Sequence, residues 1–190
     1  MNIDNYIYFD IAATTPVDSS VIELMSEINM TYFANPSSIH QMGQKSHNLI
    51  EKSRKKISSL LNCASSEIVF TSGGTESNNF VLLGILQKND HFITTSYEHP
   101  SILNVAKELE KKEIEVTYIK PNCDGTISPE KLQNAIKENT KLVSIMYLNN
   151  ELGTINPINK LGEICKKNNI IFHTDAVQYI GKRKIDLDEN

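Results

Sequence analysis

The chain contains no tryptophan, and its three cysteines, Cys63, Cys123 and Cys165, lie far apart with no CxxC pair among them. That spacing offers neither a disulfide framework nor a thiolate metal site, so reduced thiols are the expected state. The five histidines (His40, His47, His91, His99, His173) form no HExxH or similar cluster, which argues against a metal centre. No apolar run approaches the roughly 20 residues that a bilayer-spanning helix needs. An excess of basic charge is missing too. Against 19 Lys and Arg stand 23 Asp and Glu, a formal charge of −4, so no positive field gathers nucleic acid. The opening MNIDNYIYFD lacks the basic-then-apolar order of a secretory signal. These absences lead us to expect a cytoplasmic protein with no metal, no nucleic-acid partner and no membrane partner.

What is present is the composition of an ordinary globular chain: 190 residues, 39% hydrophobic, without repeats or low-complexity segments. A length of this kind supports one domain with a sizeable core. After the extended piece IYFDIAATTP, apolar spacing predicts a helix over about 17–32, with Val21, Leu24, Met25 and Ile28 on one face, and a second over about 39–61. From Glu67 the rhythm changes. Strands are expected at EIVFTS, HFITTS, IEVTYIK, KLVSIMYLN and IIFHTD, separated by helices at TESNNFVLLGIL, PSILNVAKELEKK, SPEKLQNAIKEN and PINKLGEICKKN. Ser128 and Pro129 open one of these helices as cap and first residue. Alternating short strands and amphipathic helices predict right-handed crossovers and a mainly parallel sheet.

In such sheets, ligands bind beyond the carboxyl ends of the strands. Four loops are expected there: Ser72–Glu76, Ser96–His99, Asn149–Glu151 and Asp175–Gln178. SGGTES joins a strand to a helix, so its glycines and the helix N-terminus suit an anion, with Thr75 adding a hydroxyl. Taken alone, it reads as an ordinary capped turn before it reads as a phosphate site. His99, just before Pro100, suits stacking or proton transfer, or is simply a helix cap. Asn149-Asn150 is equally an Asx turn. Asp175 ends an apolar strand, where a carboxylate is costly unless it meets a cation or donors, or caps the following turn. Gln178, three residues on, can hydrogen-bond a ligand or complete a capping pair with Asp175. Taken together, the loops ask for one ligand with a phosphate, a flat ring, a polar ring substituent and a basic ring nitrogen. Pyridoxal phosphate has all four.

At this point the sequence resembles the cysteine desulfurases of the NifS/IscS type, which are fold-type-I pyridoxal-phosphate enzymes. The motifs carrying the likeness are YFDIAATTPV, NPSSIHQMGQ, EIVFTSGGTESNN, YEHPSIL, LVSIMYLNNELGTINPI and IIFHTDAVQYIGKRKIDL, in order along essentially the whole chain. The resemblance implies a three-layer αβα large domain, incomplete here, preceded by an N-terminal helical segment. Residues 1–16 would form an extended rim segment of the small domain, and 17–190 the cofactor-binding large domain. It implies that Gly74 and Thr75 hold the cofactor phosphate and that His99 stacks on the ring and assists proton transfer. Asn150 would contact the ring's oxygen side, Asp175 the pyridinium nitrogen and Gln178 the phenolic oxygen. AATTP and NPSS would line the substrate side. The implied reaction takes L-cysteine to L-alanine and leaves an enzyme-bound persulfide. Its sulfur is destined for iron–sulfur scaffolds or tRNA-thiolation proteins, and the full-length enzymes are homodimers.

The chain departs from the family in two respects. The family's Schiff-base lysine follows a histidine, and no His-Lys pair occurs in these 190 residues; Lys182 and Lys184 belong to GKRKID. None of the three cysteines sits in a context like the family's mobile cysteine loop. The chain alone is therefore expected to be unable to complete desulfuration. A selenocysteine lyase or related cysteine lyase of the same fold, and an inactive partner or dimerisation module, are the alternatives.

Overall fold

The computed structural model describes residues 7–185 and 187. The chain divides into one compact unit ending at Ile68 and a second beginning at Val69.

The first unit is helical. Helix α1 (Ser19–Thr31) starts where Asp18 Oδ1 accepts the Ser20 N–H at 2.9 Å, and α2 (Gln41–Leu61) where His40 Nδ1 accepts the Gly43 N–H at 3.2 Å. Both helices match the expected spans to within two residues. Gly43 is a packing requirement: a Cβ there would lie 2.5 Å from the Ser38 carbonyl, so only glycine lets α2 start against the Asn-Pro-Ser-Ser turn. Asn62 ends α2 in the left-handed region, φ 54°. A short 3-10 turn, Ser65–Glu67, closes the unit.

The second unit holds a four-stranded parallel sheet, β1 (His91–Thr95), β2 (Glu115–Ile119), β3 (Thr140–Ser144) and β4 (Ile171–His173), in the order β2-β1-β3-β4. Its helices are α3 (Gly74–Ile85), α4 (Pro100–Glu110), α5 (Pro129–Ala135) and α6 (Ile158–Lys167). Side chains alternate across a strand, and the core obeys that period. Phe92 and Leu142 point to one face and pack with Leu82, Ile102, Ala106 and Leu109 of α3 and α4. Ile93 and Val143 point to the other and pack with Leu132, Ile158, Leu161 and Cys165 of α5 and α6. This is the expected three-layer αβα arrangement. Strand β1 is buried along its whole length, and each large apolar side chain it buries contributes about 1.5–3 kcal/mol.

One expectation fails. Glu67–Ser72 is not a strand: its start lies in the 3-10 turn, and the rest pairs with no strand among the described residues. Val69 and Phe70 have the β-rich composition of a strand, but a strand exists only as a ladder with a neighbour, and both side chains are exposed. The expected β3 is also shorter than predicted. Its ladder ends at Ser144, although single bonds from Ile145 N–H to the His173 carbonyl (3.1 Å) and from Tyr147 N–H to the Asp175 carbonyl (2.9 Å) carry the pairing onward. Those bonds keep the ends of β3 and β4 together where the ligand loops begin.

Candidate cofactor site

Helix α3 begins with no side-chain cap at Gly73. Its first internal bond runs from Ser77 N–H to the Gly73 carbonyl at 3.1 Å, which leaves the Gly74, Thr75 and Glu76 amides at the helix mouth. Those donors and the positive end of the helix dipole favour an anion. A Cβ on Gly73 would meet nothing within 4 Å, so the mouth is open. A Cβ on Gly74 would lie 2.8 Å from Val177 Cγ2, so this glycine brings the mouth against the Asp175 loop. Glu76 Oε2 accepts the Ser72 N–H at 2.6 Å, and these bonds from Ser72 hold its carboxyl below the usual range.

Asp175 follows β4. Its Oδ1 accepts the Val177 N–H at 3.0 Å, the Asx-turn role, while Oδ2 accepts from Asn78 Nδ2 of α3 at 2.8 Å. Both donors are neutral, so the carboxylate keeps capacity for a cationic partner. Asn78 Nδ2 also donates to Ser101 Oγ at 2.9 Å, and Ser101 Oγ lies 2.8 Å from His99 Nδ1. His99 caps α4, its Nδ1 accepting the Ser101 N–H at 3.1 Å, with Pro100 in the first helical position. The cap reading and the site reading of His99 are therefore compatible.

Beside Asp175 lies a second carboxyl. Glu98 is 4% exposed, and its Oε1 accepts from Thr95 Oγ1 at 2.7 Å and Met146 N–H at 2.9 Å. Burial, with the Asp175 charge adding to it, pushes the Glu98 carboxyl up to about 7. Glu98 Oε2 and the hydroxyls of Thr94 and Thr174 are buried without a protein partner among the described residues. His173, between Ser144 and Asp175, bonds Ser144 Oγ through Nδ1 at 2.8 Å, and burial lowers its pKa.

The turn after β3 is organised by Asn149, whose Oδ1 accepts the Glu151 and Leu152 N–H groups at 2.9 and 2.7 Å. This is the Asx turn allowed for in the sequence. Asn149 Nδ2 donates to the Tyr97 carbonyl at 3.1 Å, which ties the Asn150 turn to the loop bearing His99. Gln178 Oε1 accepts from Lys182 Nζ at 2.6 Å.

The structure thus brings the Gly74-Thr75 mouth, His99 and Asp175 to one sheet edge, with Gln178 in the Asp175 loop and Asn150 in the adjoining turn. The donor set suits pyridoxal phosphate: amides at a helix mouth for a dianion, a carboxylate for a protonated ring nitrogen, and an imidazole for a flat ring. Sequence reasoning missed Asn78, Ser101 and the buried state of Glu98. The available signal was the spacing of Asn78, one turn after Gly74 and one turn before Leu82, which puts it on the inner face of α3.

The family model described as aminotransferase class-V matches residues 7–190. Cysteine desulfurase IscS of Methanosarcina thermophila is 47% identical over 185 residues, covering 95% of this chain and 46% of that protein. The mitosomal cysteine desulfurase of Trachipleistophora hominis is 44% identical over 190 residues, covering 96% of this chain and 43% of that protein. A solved structure titled SspA in complex with cysteine superposes with a TM-score of 0.92 at 42% identity, covering 96% of this chain and 54% of that one. The chain spans about half the length of the curated relatives it matches.

Proposed function

The chain belongs to the aminotransferase class-V family, and from that premise we propose that it is the cofactor-holding part of a pyridoxal-phosphate-dependent cysteine desulfurase acting on L-cysteine. The products are L-alanine and a protein-bound persulfide, whose sulfur goes to acceptor proteins for iron–sulfur clusters or tRNA thiolation. The reading includes a homodimer and a cytoplasmic setting, which suits three unpaired cysteines. Among the described residues no helix is long and apolar enough to cross a membrane.

The observation that carries the reading is the hydrogen-bonded connection of Asp175 and His99 beside the open mouth of α3. Gly74 and Thr75 would hold the phosphate through their amides and the Thr75 hydroxyl. Asp175 would hold a proton on the ring nitrogen, His99 would lie against the ring and move protons, and Gln178 and Asn150 would reach the ring's oxygen side. Bound there, the cofactor supplies an electron sink for charge developing on the substrate's α-carbon. Burial pushes the Glu98 carboxyl up to about 7, so a protonated fraction of this side chain lies beside Asp175 at neutral pH.

The lysine that anchors the cofactor and the cysteine that receives sulfur are assigned to residues outside these 190. The chain has no His-Lys pair. Cys165 is buried with its thiol pushed up to about 12, the reverse of a nucleophile's environment. Titration with pyridoxal phosphate, followed by the cofactor's absorbance, tests the assignment. Saturable binding is expected, weakened about tenfold by Asp175→Ala, a loss of about 1.4 kcal/mol. Borohydride reduction should leave the protein mass unchanged. Equal binding by both proteins, or a stoichiometric lysine adduct, would overturn the reading.

A further inference from the structure

We propose that Asn78 and Ser101 are positioning residues that join Asp175 to His99 in one hydrogen-bond line of fixed direction, holding His99 with its proton on Nε2. The direction follows from the two ends of the line. At one end the Asp175 carboxylate can only accept, so the Asn78 atom 2.8 Å from Oδ2 is its NH2 group. At the other end a backbone N–H can only donate, so His99 Nδ1, 3.1 Å from Ser101 N, presents a lone pair.

The middle is then determined. The Asn78 amide nitrogen spends its second hydrogen on Ser101 Oγ at 2.9 Å, so the hydroxyl hydrogen of Ser101 goes to His99 Nδ1 at 2.8 Å. Nδ1 receives two donors and carries no proton of its own; the ring's N–H is therefore at Nε2. Asn78 is 3% exposed and Ser101 9%, so water is poorly placed to substitute for either link. The line connects the second turn of α3, the first turn of α4 and the loop after β4. Asn78 thus orients the Asp175 carboxylate and, through Ser101, fixes which nitrogen His99 offers as a donor. The value of that arrangement to a cofactor rests on the reading above. The line itself involves only residues of this chain.

The test is 15N NMR of the imidazole nitrogens of the 190-residue chain without cofactor, in mildly alkaline buffer, with His99 assigned by the signal lost in His99→Gln. Wild type is expected to show a protonated Nε2 and a hydrogen-bonded, unprotonated Nδ1. Asn78→Ala and Ser101→Ala should each move Nδ1 toward the frequency of a free ring nitrogen, and the double variant should add little to either, because they interrupt the same line. A proton on Nδ1 of His99 in wild type would overturn the proposal whether or not Asn78→Ala and Ser101→Ala fold. So would an Nδ1 signal that Ser101→Ala moves and Asn78→Ala leaves in place. Pyridoxal phosphate titration of wild type separates the two readings. Absent binding with the expected tautomer defeats only the proposed function, and binding with a proton on Nδ1 defeats only this inference.

Discussion

Glu98 shows how a single side chain can set the electrostatics of a site without facing a ligand. Its carboxyl is buried beside Asp175, and burial raises it from the ordinary 4.5 to about 7. The folded chain therefore keeps a proton that the unfolded chain releases as pH rises above 4.5. The stability linked to that proton is complete below the unfolded value and is lost as pH rises through about 7. A glutamine at this position keeps an acceptor for Thr95 and Met146 and removes the titration. Glu98→Gln should accordingly gain about 2 kcal/mol over wild type between mildly acidic and mildly alkaline buffer, since each tenfold difference in proton affinity corresponds to about 1.4 kcal/mol. Urea denaturation of both proteins across that range checks it. A wild-type-to-variant difference that stays constant with pH would mean that the carboxyl is not holding a proton. The sequence placed Glu98 in the right loop but could not show its state, because it is buried among residues remote in sequence, such as Met146, 48 positions away.

At the scale of elements, His91 at the head of β1 is the counterpart of Glu98. It bridges three strands, Nδ1 to Thr140 Oγ1 of β3 and Nε2 to Thr117 Oγ1 of β2, each at 2.8 Å. Burial first, and Lys137 second, lower its pKa below the ordinary 6.5. The unfolded chain thus binds a proton that the folded chain refuses. Stability is complete above 6.5 and is lost as pH falls through the window below it. His173 is shifted the same way by burial. Both histidines oppose Glu98 in mildly acidic buffer, so removing one of them isolates its share. As pH drops from about 7 to about 5, the thermal midpoint of His91→Gln should rise relative to that of wild type. A difference between the two midpoints that stays constant with pH would mean that burial does not keep a proton off His91. The helices were legible because their signals are local: apolar period, Ser128 and Pro129, the Pro100 start. Strand Glu67–Ser72 was misread because a ladder depends on a neighbour that its own composition cannot report. Asn78 was overlooked for a similar reason. A polar residue on a helix reads as surface until Asp175, 97 positions on, is seen beside it.

Across the whole molecule, the two units differ in what holds them. Among the described residues, every buried apolar side chain, from Leu82 to Ile185, belongs to the unit that begins at Val69. The helical unit buries only Gly43, Ser46 and Ser58 within α2 and nothing within α1, whose Val21, Leu24 and Met25 remain about half exposed. Its ties are polar or steric, such as Ser46 Oγ to the Tyr32 carbonyl at 3.1 Å and the approach of Gly43 to the Asn35–Ser38 turn. One net hydrogen bond contributes about 1 kcal/mol, whereas ordering the backbone costs about 1–2 kcal/mol per residue. A few polar ties cannot offset that cost over two helices, while two apolar clusters on either face of a sheet can. Expressed as separate pieces, residues 69–190 should keep their far-ultraviolet dichroism and melt cooperatively, and residues 1–68 should show weak helicity that declines without a transition. Circular dichroism melts of the two pieces decide the matter. A sharp, cooperative transition in the helical piece would mean that its polar ties suffice, and that apolar burial is the wrong measure of which unit is stable by itself.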